Sequence, residues 1–543
     1  MSNPNSSTAL KTQLLNGKLA MLIAVLLIGF AIGFIHQHYI YPIYFHGDSA
    51  AMQVLARAIV EKHSLLPKDF SYGNQIIFLR SSYFIAVVML LGMSGYKAYI
   101  VGSALSIAFW FVITYLALSS VFPRRSKALA LAVALFIPLG YNDLDMVLGQ
   151  QSHLANIVLA LVAAIMAFQA SQRLCRRYLI LSFLPIALMA LEAPIRGALV
   201  ALPLIVVLFI CFGIRRSIYP SALSLAGIIV GFVGNALLLR HTGPLEVNYL
   251  QSLTLYNLPA VMANLSQLVI VLLSSTMATD VFAGMKIVSV GFLLYILSIG
   301  ILLCYVAAFI YGIVRATERV REKLAAVNDN EPSLLDFFFI LSAIGIVIGL
   351  FAVASLNPDS PRHVQWAMSL LKITLFLWLY EQFSRIIKTK STLAIITIIV
   401  ALLTSCWYPV VSNKHLSLSI HITFHRNRDF NREILTLMRQ NNIYQIYSAD
   451  FWGILPLNAI DNRVNAGELA LSGDNFVPRH WLSRPSWFCA TGEVFYYLNQ
   501  DVEADRLIKD RIVKRHGELL LTKGDVSIWK GPVIWENDRQ CVN

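Results

Sequence analysis

The chain has 543 residues, 57% of them hydrophobic and 13% charged, with a mean hydropathy of +0.65. Soluble domains carry about 25% charged residues, so a soluble enzyme with one anchor is excluded and an integral membrane protein with many spans is expected. The net charge of +13 does not mark a nucleic-acid face, because residues 415–543 hold 15 basic and 15 acidic residues and the whole excess, 28 against 15, lies among the apolar stretches of residues 1–414.

A membrane-spanning helix needs about 20 mostly apolar residues. Eleven such stretches follow in order: 19–38, 97–118, 127–141, 153–171, 178–192, 197–213, 220–239, 286–313, 336–356, 364–383 and 391–411. With the N-terminus cytoplasmic, the inner loops hold Lys11 and Lys18; Arg124, Arg125 and Lys127; Arg173, Arg176 and Arg177; Arg215 and Arg216; Arg315, Arg319, Arg321 and Lys323; and Arg385, Lys388 and Lys390. That accounts for 17 of the 28 basic residues and follows the Lys/Arg bias of cytoplasmic loops. The apolar stretch 76–93 would invert every later loop if it spanned, so it reads as interfacial, in keeping with Arg80 near its start. The first span reads as uncleaved, Ala31–Gly33 being only a faint cleavage signal. The stretch 315–331 reads as a solvated inner loop.

Three long or polar outer loops are expected at 39–75, 141–152 and 240–285, the last with an amphipathic segment at 253–275. Loops above about 12–15 residues usually carry function or are disordered. A membrane domain is thus expected over 1–411 and a soluble domain over 412–543, long enough for its own core. In the latter, LSLSIHITF, NIYQIYSA, ELLLT and VSIW read as strands, and Arg428–Gln440 and Val502–Arg515 as helices, which gives α/β. No Gly-rich loop follows a strand, so nucleotide binding is not expected. Cys489 and Cys541 both lie in this domain and could pair in an oxidising compartment. No CxxC or Cys/His cluster marks a structural zinc site.

The candidate chemistry sits at the outer ends of the spans. Asp48, in HGDSAAM after the first span, reads either as the N-cap of a helix or as a carboxylate that takes a proton from an acceptor hydroxyl. Asp143 and Asp145 flank one leucine; in an extended loop both would face one way and could hold a divalent cation such as Mg or Mn. The alternative is a polar turn. Glu192 and Arg196 stand four apart around Pro194, either as a structural ion pair or as functional groups at the membrane interface. Arg362 and His363 open the tenth span; a phosphate would suit the planar fork of Arg362, and the bland alternatives are a helix-end anchor and an interfacial histidine. Arg80 would meet an acid or a phosphate.

One span, then an acidic residue opening a helix in the first outer loop, resembles the GT-C superfamily of membrane glycosyltransferases. The matching pieces are Gly47-Asp48-Ser49, the half-inserted stretch 76–93, Tyr96–Leu118 ending in Pro-Arg-Arg, the acidic Asn142-Asp143-Leu144-Asp145, the late turn Asn357–His363, and YSADFW at Tyr447–Trp452 in a C-terminal α/β domain. Two departures stand out: Asp-Ser replaces the usual Asp-Glu of the first loop, and Arg-His stands where many members have Arg-Tyr. The resemblance implies a polytopic helical membrane domain of about 11 spans with a soluble α/β domain on the outer face. It implies transfer of a hexose or pentose from a polyprenyl-phosphate-linked donor to an envelope glycan, lipid or protein acceptor. Inversion would occur at the anomeric carbon with Asp48 as general base, and Arg362, His363 and Arg80 would face the donor phosphate. It further implies a bacterial inner membrane with the soluble domain periplasmic. The alternatives are a lipid or solute transporter, disfavoured because no internal repeat is found, and an O-antigen polymerase or ligase, which would not depend on Asp48.

Overall fold

The computed structural model describes residues 4–140, 143–173, 175–243, 245–246, 255–276, 288, 290–325, 331–356, 361–386 and 428–535. Long apolar runs give long helices. The chain opens with α1 (Pro4–Ile35), which widens into a π-helical turn at His36–Ile40. A short amphipathic helix, α2 (Gly47–Lys62), follows, then α3 (Ser81–Leu90), α4 (Gly95–Val121) and α5 (Arg125–Leu135). Beyond a second π-helical turn at Asp143–Gly149 come α6 (Leu154–Arg173), α7 (Arg176–Glu192) and α8 (Pro194–Thr242). The membrane part continues with α9 (Leu258–Thr276), α10 (Val290–Leu324), α11 (Leu334–Leu356) and α12 (Gln365–Ile386).

Among the described residues six helices are long and apolar enough to cross a membrane, with α8 counted once. α8 is a hairpin of two arms: Gly213 at its bend has φ +71°, which favours glycine, and both Arg196 and Asn235 reach the end of α7 at residues 191–192. The arms match the stretches expected at 197–213 and 220–239. α3 is a ten-residue helix within the stretch read as interfacial. Two expectations are corrected. The stretch 127–141 holds only the 11-residue α5, about 17 Å long and too short to span alone. Residues 315–324 are not a loop but the end of α10, kept helical by the pairs Arg315–Glu318 (2.6 Å) and Arg319–Glu322 (3.1 Å) and tied to α11 by Arg315–Asp336 (3.1 Å). The stretch 391–411, LSLSIHITF and the 411/412 boundary lie outside the described residues.

The C-terminal domain runs α13 (Arg428–Asn441), β1 (Gln445–Ser448), two single turns at Phe451–Ile454 and Leu457–Ile460, β2 (Asn465–Ser472), β3 (Asn475–Arg479), β4 (Glu493–Asn499), α14 (Glu503–Lys514), β5 (Glu518–Lys523) and β6 (Val526–Pro532). The six strands order as β3-β2-β1-β4-β6-β5, with β1 parallel to β2 and β4 and the remaining pairs antiparallel. Sequence inspection finds β1, β5, β6 and both helices but misses β2, β3 and β4. Along β4 the side chains alternate: Phe495 and Tyr497 pack with Phe430 and Ile434 of α13, whereas Val494, Tyr496 and Leu498 pack with Ile508 and Ile512 of α14. That second core continues through Phe451, Leu455 and Ala459 into Ala51, Leu55, Ile85 and Tyr99, so the soluble domain and the loops of the membrane domain share one apolar interior. Cys489 is disulfide-bonded; Cys541, its expected partner, lies outside the described residues.

The buried Asp505 joins three elements by accepting from Ser448 Oγ (3.0 Å), Ala449 N (2.6 Å) and Asn499 N (3.0 Å). An Asp505→Ala substitution strands two backbone donors and is expected to lower unfolding stability by about 2–4 kcal/mol, read from thermal unfolding of the full chain. A change below about 0.5 kcal/mol would mean that these donors find other partners.

Candidate active site

The site is assembled where the two π-helical turns meet. The turn after α1 offers buried polar side chains to the second: His36 Nε2 lies 3.0 Å from Leu144 O, and Gln37 Nε2 donates to Gly149 O at 2.9 Å. Gly149 is needed here because a Cβ would lie 2.0 Å from the Tyr41 ring. With that close approach, Tyr41 donates to Asp145 Oδ1 at 2.7 Å and also contacts Ser49 Oγ in the first turn of α2.

His46 caps α2. Its Nδ1 accepts the Asp48 backbone N–H at 3.2 Å, while Nε2 faces Asp145 Oδ1 at 3.1 Å. This places the ring proton on Nε2, where it is donated to Asp145. Burial works to lower the His46 pKa, but Asp145 outweighs it and the pKa is raised. Burial likewise opposes ionisation of Asp145, yet His46, Tyr41 and Gln150 together hold its pKa below the ordinary value. The cap is therefore His46, not Asp48. Asp48 stands in the first turn with its carboxylate free of hydrogen-bond partners among the described residues. Burial pushes its pKa up, with His46 and Arg362 pulling against it.

Asp48 opens onto a cavity of about 310 Å³. Of the expected residues, Asp48, Arg80, Glu192, Arg196, Arg362 and His363 all line it. Arg80 Nε pairs with Glu192 Oε1 at 2.6 Å, and Arg196 Nη1 lies 3.6 Å from Glu192 Oε2 and donates to Ser152 O at 3.1 Å. Arg80 Nη2, Arg196 Nε and Arg362 Nε are buried donors without a partner among the described residues. Burial, with Arg196 and Arg362 beside it, lowers the His363 pKa to about 3, so that ring is neutral. Three non-glycine residues at or beside the wall, Leu79 (φ 56°), Gln151 (φ 58°) and Leu482 (φ 49°), hold left-handed backbone, a strain of about 1–3 kcal/mol each that collects at functional sites.

Asp143 and Asp145 do not line the cavity. The expected extended loop is a helical turn, and each carboxylate has its own partners: Asp143 accepts from Lys372 Nζ (2.7 Å) and Gln365 Nε2 (2.7 Å), and Asp145 from Tyr41 and His46. Among the described residues no group of three or more His, Cys, Asp or Glu gathers to hold a metal. The expected divalent cation therefore does not fit this pair, whose charges are already answered by protein donors. Sequence reasoning missed Gln150, His153 and Trp481, which also line the cavity, and His46 and Tyr41 behind it. The run GQQSH gave a polar signal for the first two. Nothing in the sequence marks Trp481, which reaches the wall from beyond β3.

The described residues form a polytopic helical bundle, with loops folded over one end and a soluble α/β domain seated on them. Over 97% of this chain and 99% of the other, it is similar to ArnT from Cupriavidus metallidurans, in a crystal structure with bound undecaprenyl phosphate, with a TM-score of 0.50 at 10% identity. It is also similar to the Archaeoglobus fulgidus oligosaccharyltransferase. In the structure with zinc and sulfate the TM-score is 0.44 at 12% identity, over 81% and 62% of the two chains. In the AglB complex with an inhibitory peptide and a dolichol-phosphate it is 0.42 at 13%, over 97% and 75%. At such identities the likeness to ArnT shows the fold alone. No protein-family model and no curated protein matches the sequence.

Lys372 is 2% exposed in α12 and its charge is met by Asp143. A Lys372→Met substitution leaves a buried carboxylate unpaired and is expected to cost about 3–5 kcal/mol, most of it regained in Lys372→Met/Asp143→Asn. A double-variant loss equal to the sum of the Lys372→Met and Asp143→Asn losses, measured by thermal unfolding, would show that the pair is not coupled.

Proposed function

We propose that the protein transfers a sugar from a polyprenyl-phosphate-linked donor to an acceptor hydroxyl. Asp48 is the general base, and Arg80, Arg196 and Arg362 hold the donor phosphate. The observation that carries this reading is the cavity itself, in which an unengaged carboxylate faces three guanidinium groups with unmet donors. The acceptor oxygen bonds to the anomeric carbon, its proton passes to Asp48, and the bond from that carbon to the phosphate oxygen breaks. Polyprenyl phosphate then leaves with one further negative charge. Attack opposite the leaving group inverts the anomeric centre.

The charges support this order of events. With Glu192 and Asp48 ionised and the histidines neutral, the wall carries one net positive charge among the described residues, which balances a phosphodiester. Once Asp48 holds the proton the wall carries two, which balances the doubly charged phosphate monoester. Buried charge is tolerated only when paired, so substrate and product are each neutralised as they form. The raised pKa of Asp48 suits a proton acceptor. In the proposed setting the membrane is a bacterial inner membrane, residues 1–411 form the membrane domain with a cytoplasmic N-terminus, and residues 412–543 face the periplasm. The acceptor is an envelope glycan, lipid or protein, and the transferred unit a hexose or pentose.

Glycans and glycolipids from cells with the wild-type protein, without it, and with Asp48→Asn at equal abundance should differ by one sugar unit, both defective strains lacking it. In purified protein Asp48→Asn is expected to lower kcat by about 10²–10⁴-fold. Unchanged glycans in both strains would point to a transporter. Normal glycans in Asp48→Asn alone would remove Asp48 from the chemistry.

The base works only when ionised. Activity is therefore expected to fall as pH drops through the Asp48 pKa, at a pH above the 3.8 of an ordinary aspartate. A kcat/KM profile checks this, and an acid limb unmoved in Asp48→Glu would assign the limb to another group.

A further inference from the structure

Behind Arg362 the cavity continues into a side pocket of about 20 Å³ between α6, α8 and α12. It shares Arg196, Arg362 and both histidines with the main cavity, and among the residues it adds, Asn156 and Trp366 are the polar ones. Asn156 and Trp366 are each only 6% exposed, yet Asn156 Nδ2, Asn156 Oδ1 and Trp366 Nε1 have no partner among the described residues, and neither do Arg196 Nε, Arg362 Nε and His363 Nδ1. Buried polar atoms are costly when left unmet, and here six of them belong to residues that line one void. The void admits about one water-sized group.

We infer that this pocket is a recognition subsite for the donor sugar and takes one uncharged oxygen substituent, a hydroxyl or a carbonyl, while rejecting a cationic amino sugar. The inference rests on the donor reading above. With Arg196 and Arg362 turned to the phosphate, Asn156 Nδ2 and Trp366 Nε1 are the donors left for the substituent, against one fixed acceptor, Asn156 Oδ1, and two imidazoles, so the incoming group must accept. Two guanidinium groups on the wall repel an ammonium. A carboxylate would bring a second negative charge to a wall whose single net positive charge the phosphodiester already balances. Sites that hydrogen-bond a substrate group discriminate strongly against analogues lacking it, because their own buried groups are then left unpaired.

The test uses purified full-length protein in lipid nanodiscs. It is titrated with undecaprenyl phosphate and with undecaprenyl phosphate carrying glucose, N-acetylglucosamine, glucosamine or glucuronate. The glucose or N-acetylglucosamine lipid is expected to bind at least about tenfold more tightly than the glucosamine and glucuronate lipids. Trp366→Phe, which removes the N–H and keeps the ring bulk, is expected to weaken the preferred neutral lipid about threefold or more and bare undecaprenyl phosphate by less than about twofold. Asn156→Leu, which keeps the branched shape and removes both polar atoms, should do the same more strongly. Equal or tighter binding of the glucosamine or glucuronate lipid would overturn the inference. So would variants that weaken sugar-loaded and bare lipid alike, since the pocket would then serve the phosphate or a resident water. If wild-type protein binds none of the five lipids, the donor reading falls with it. If the neutral lipids bind but both variants keep the wild-type discrimination, only the subsite falls.

Discussion

Glu192 is one carboxylate shared by two guanidinium groups, and the site depends on that shortage. Arg80 is brought by the loop before α3 and Arg196 by the first turn of α8, and they converge on the end of α7 with 3–8% of each side chain exposed. A buried arginine needs a partner, and half a carboxylate each leaves donors over. Arg362 arrives from the turn before α12 without an acid of its own among the described hydrogen bonds and ion pairs, so the imbalance grows. Asp48 offsets part of it but offers its oxygens to the cavity, not to a neighbour. The fold thus buries more guanidinium donors than the described carboxylates answer, which is what the proposed phosphate site requires. The three left-handed non-glycine residues at or beside the wall add backbone strain to this electrostatic cost.

The helical membrane class was legible because hydropathy over about 20 residues is a large, additive signal. The spacing of Glu192 and Arg196 and the placement of Asp48 and Arg362 at span ends also pointed to residues that meet in one cavity. What the sequence hid were relations between distant segments. The apolar run 127–141 looks like a span, but α5 stops at Leu135 and the chain turns back into the bundle. RATERVREKL looks like a loop by its charge, but its acids and bases are spaced to pair along a helix and with Asp336. Asp143 and Asp145 look like a metal pair by proximity. Two residues apart on a helical turn, they point to different partners, and Lys372, which answers one of them, is 229 residues away. β2 and β3 were missed because their alternation is carried by small and polar residues in NAGELALS and NFVPR.

The soluble domain is not merely tethered to the membrane part. Arg484, 4% exposed, pairs with Asp69 (2.7 Å) and also with Glu61 near the end of α2, while Ser486 Oγ donates to Asp69 at 2.8 Å. Arg57 of α2 donates to Val464 O at 3.0 Å and Asn465 Oδ1 at 3.2 Å beside β2. Trp481 packs over Gly73 and reaches the cavity, next to Asn74 and Gln75 on the same wall. The loop between α2 and α3 therefore takes its shape from both domains, and the helix that carries Asp48 is gripped along its length by the domain encoded last in the chain.

The same logic explains why a histidine, an uncommon capping residue, precedes Asp48. A carboxylate in the first turn of a helix would ordinarily satisfy the orphan N–H groups there. Had Asp48 done so, its lone pairs would face its own backbone and its pKa would sit low, which suits a cap and not a base. His46 takes the N–H instead, and it can do so only while its Nδ1 stays unprotonated. Asp145 sets the tautomer by accepting from Nε2, and Tyr41, Gln150 and the close approach at Gly149 hold Asp145 in place. The helix terminus still favours negative charge at Asp48, so the residue keeps its ionised form within reach while its oxygens remain uncommitted. The network of His46, Asp145, Tyr41 and Gln150, of which only Gln150 reaches the cavity, is what keeps the capping role apart from the role proposed for Asp48.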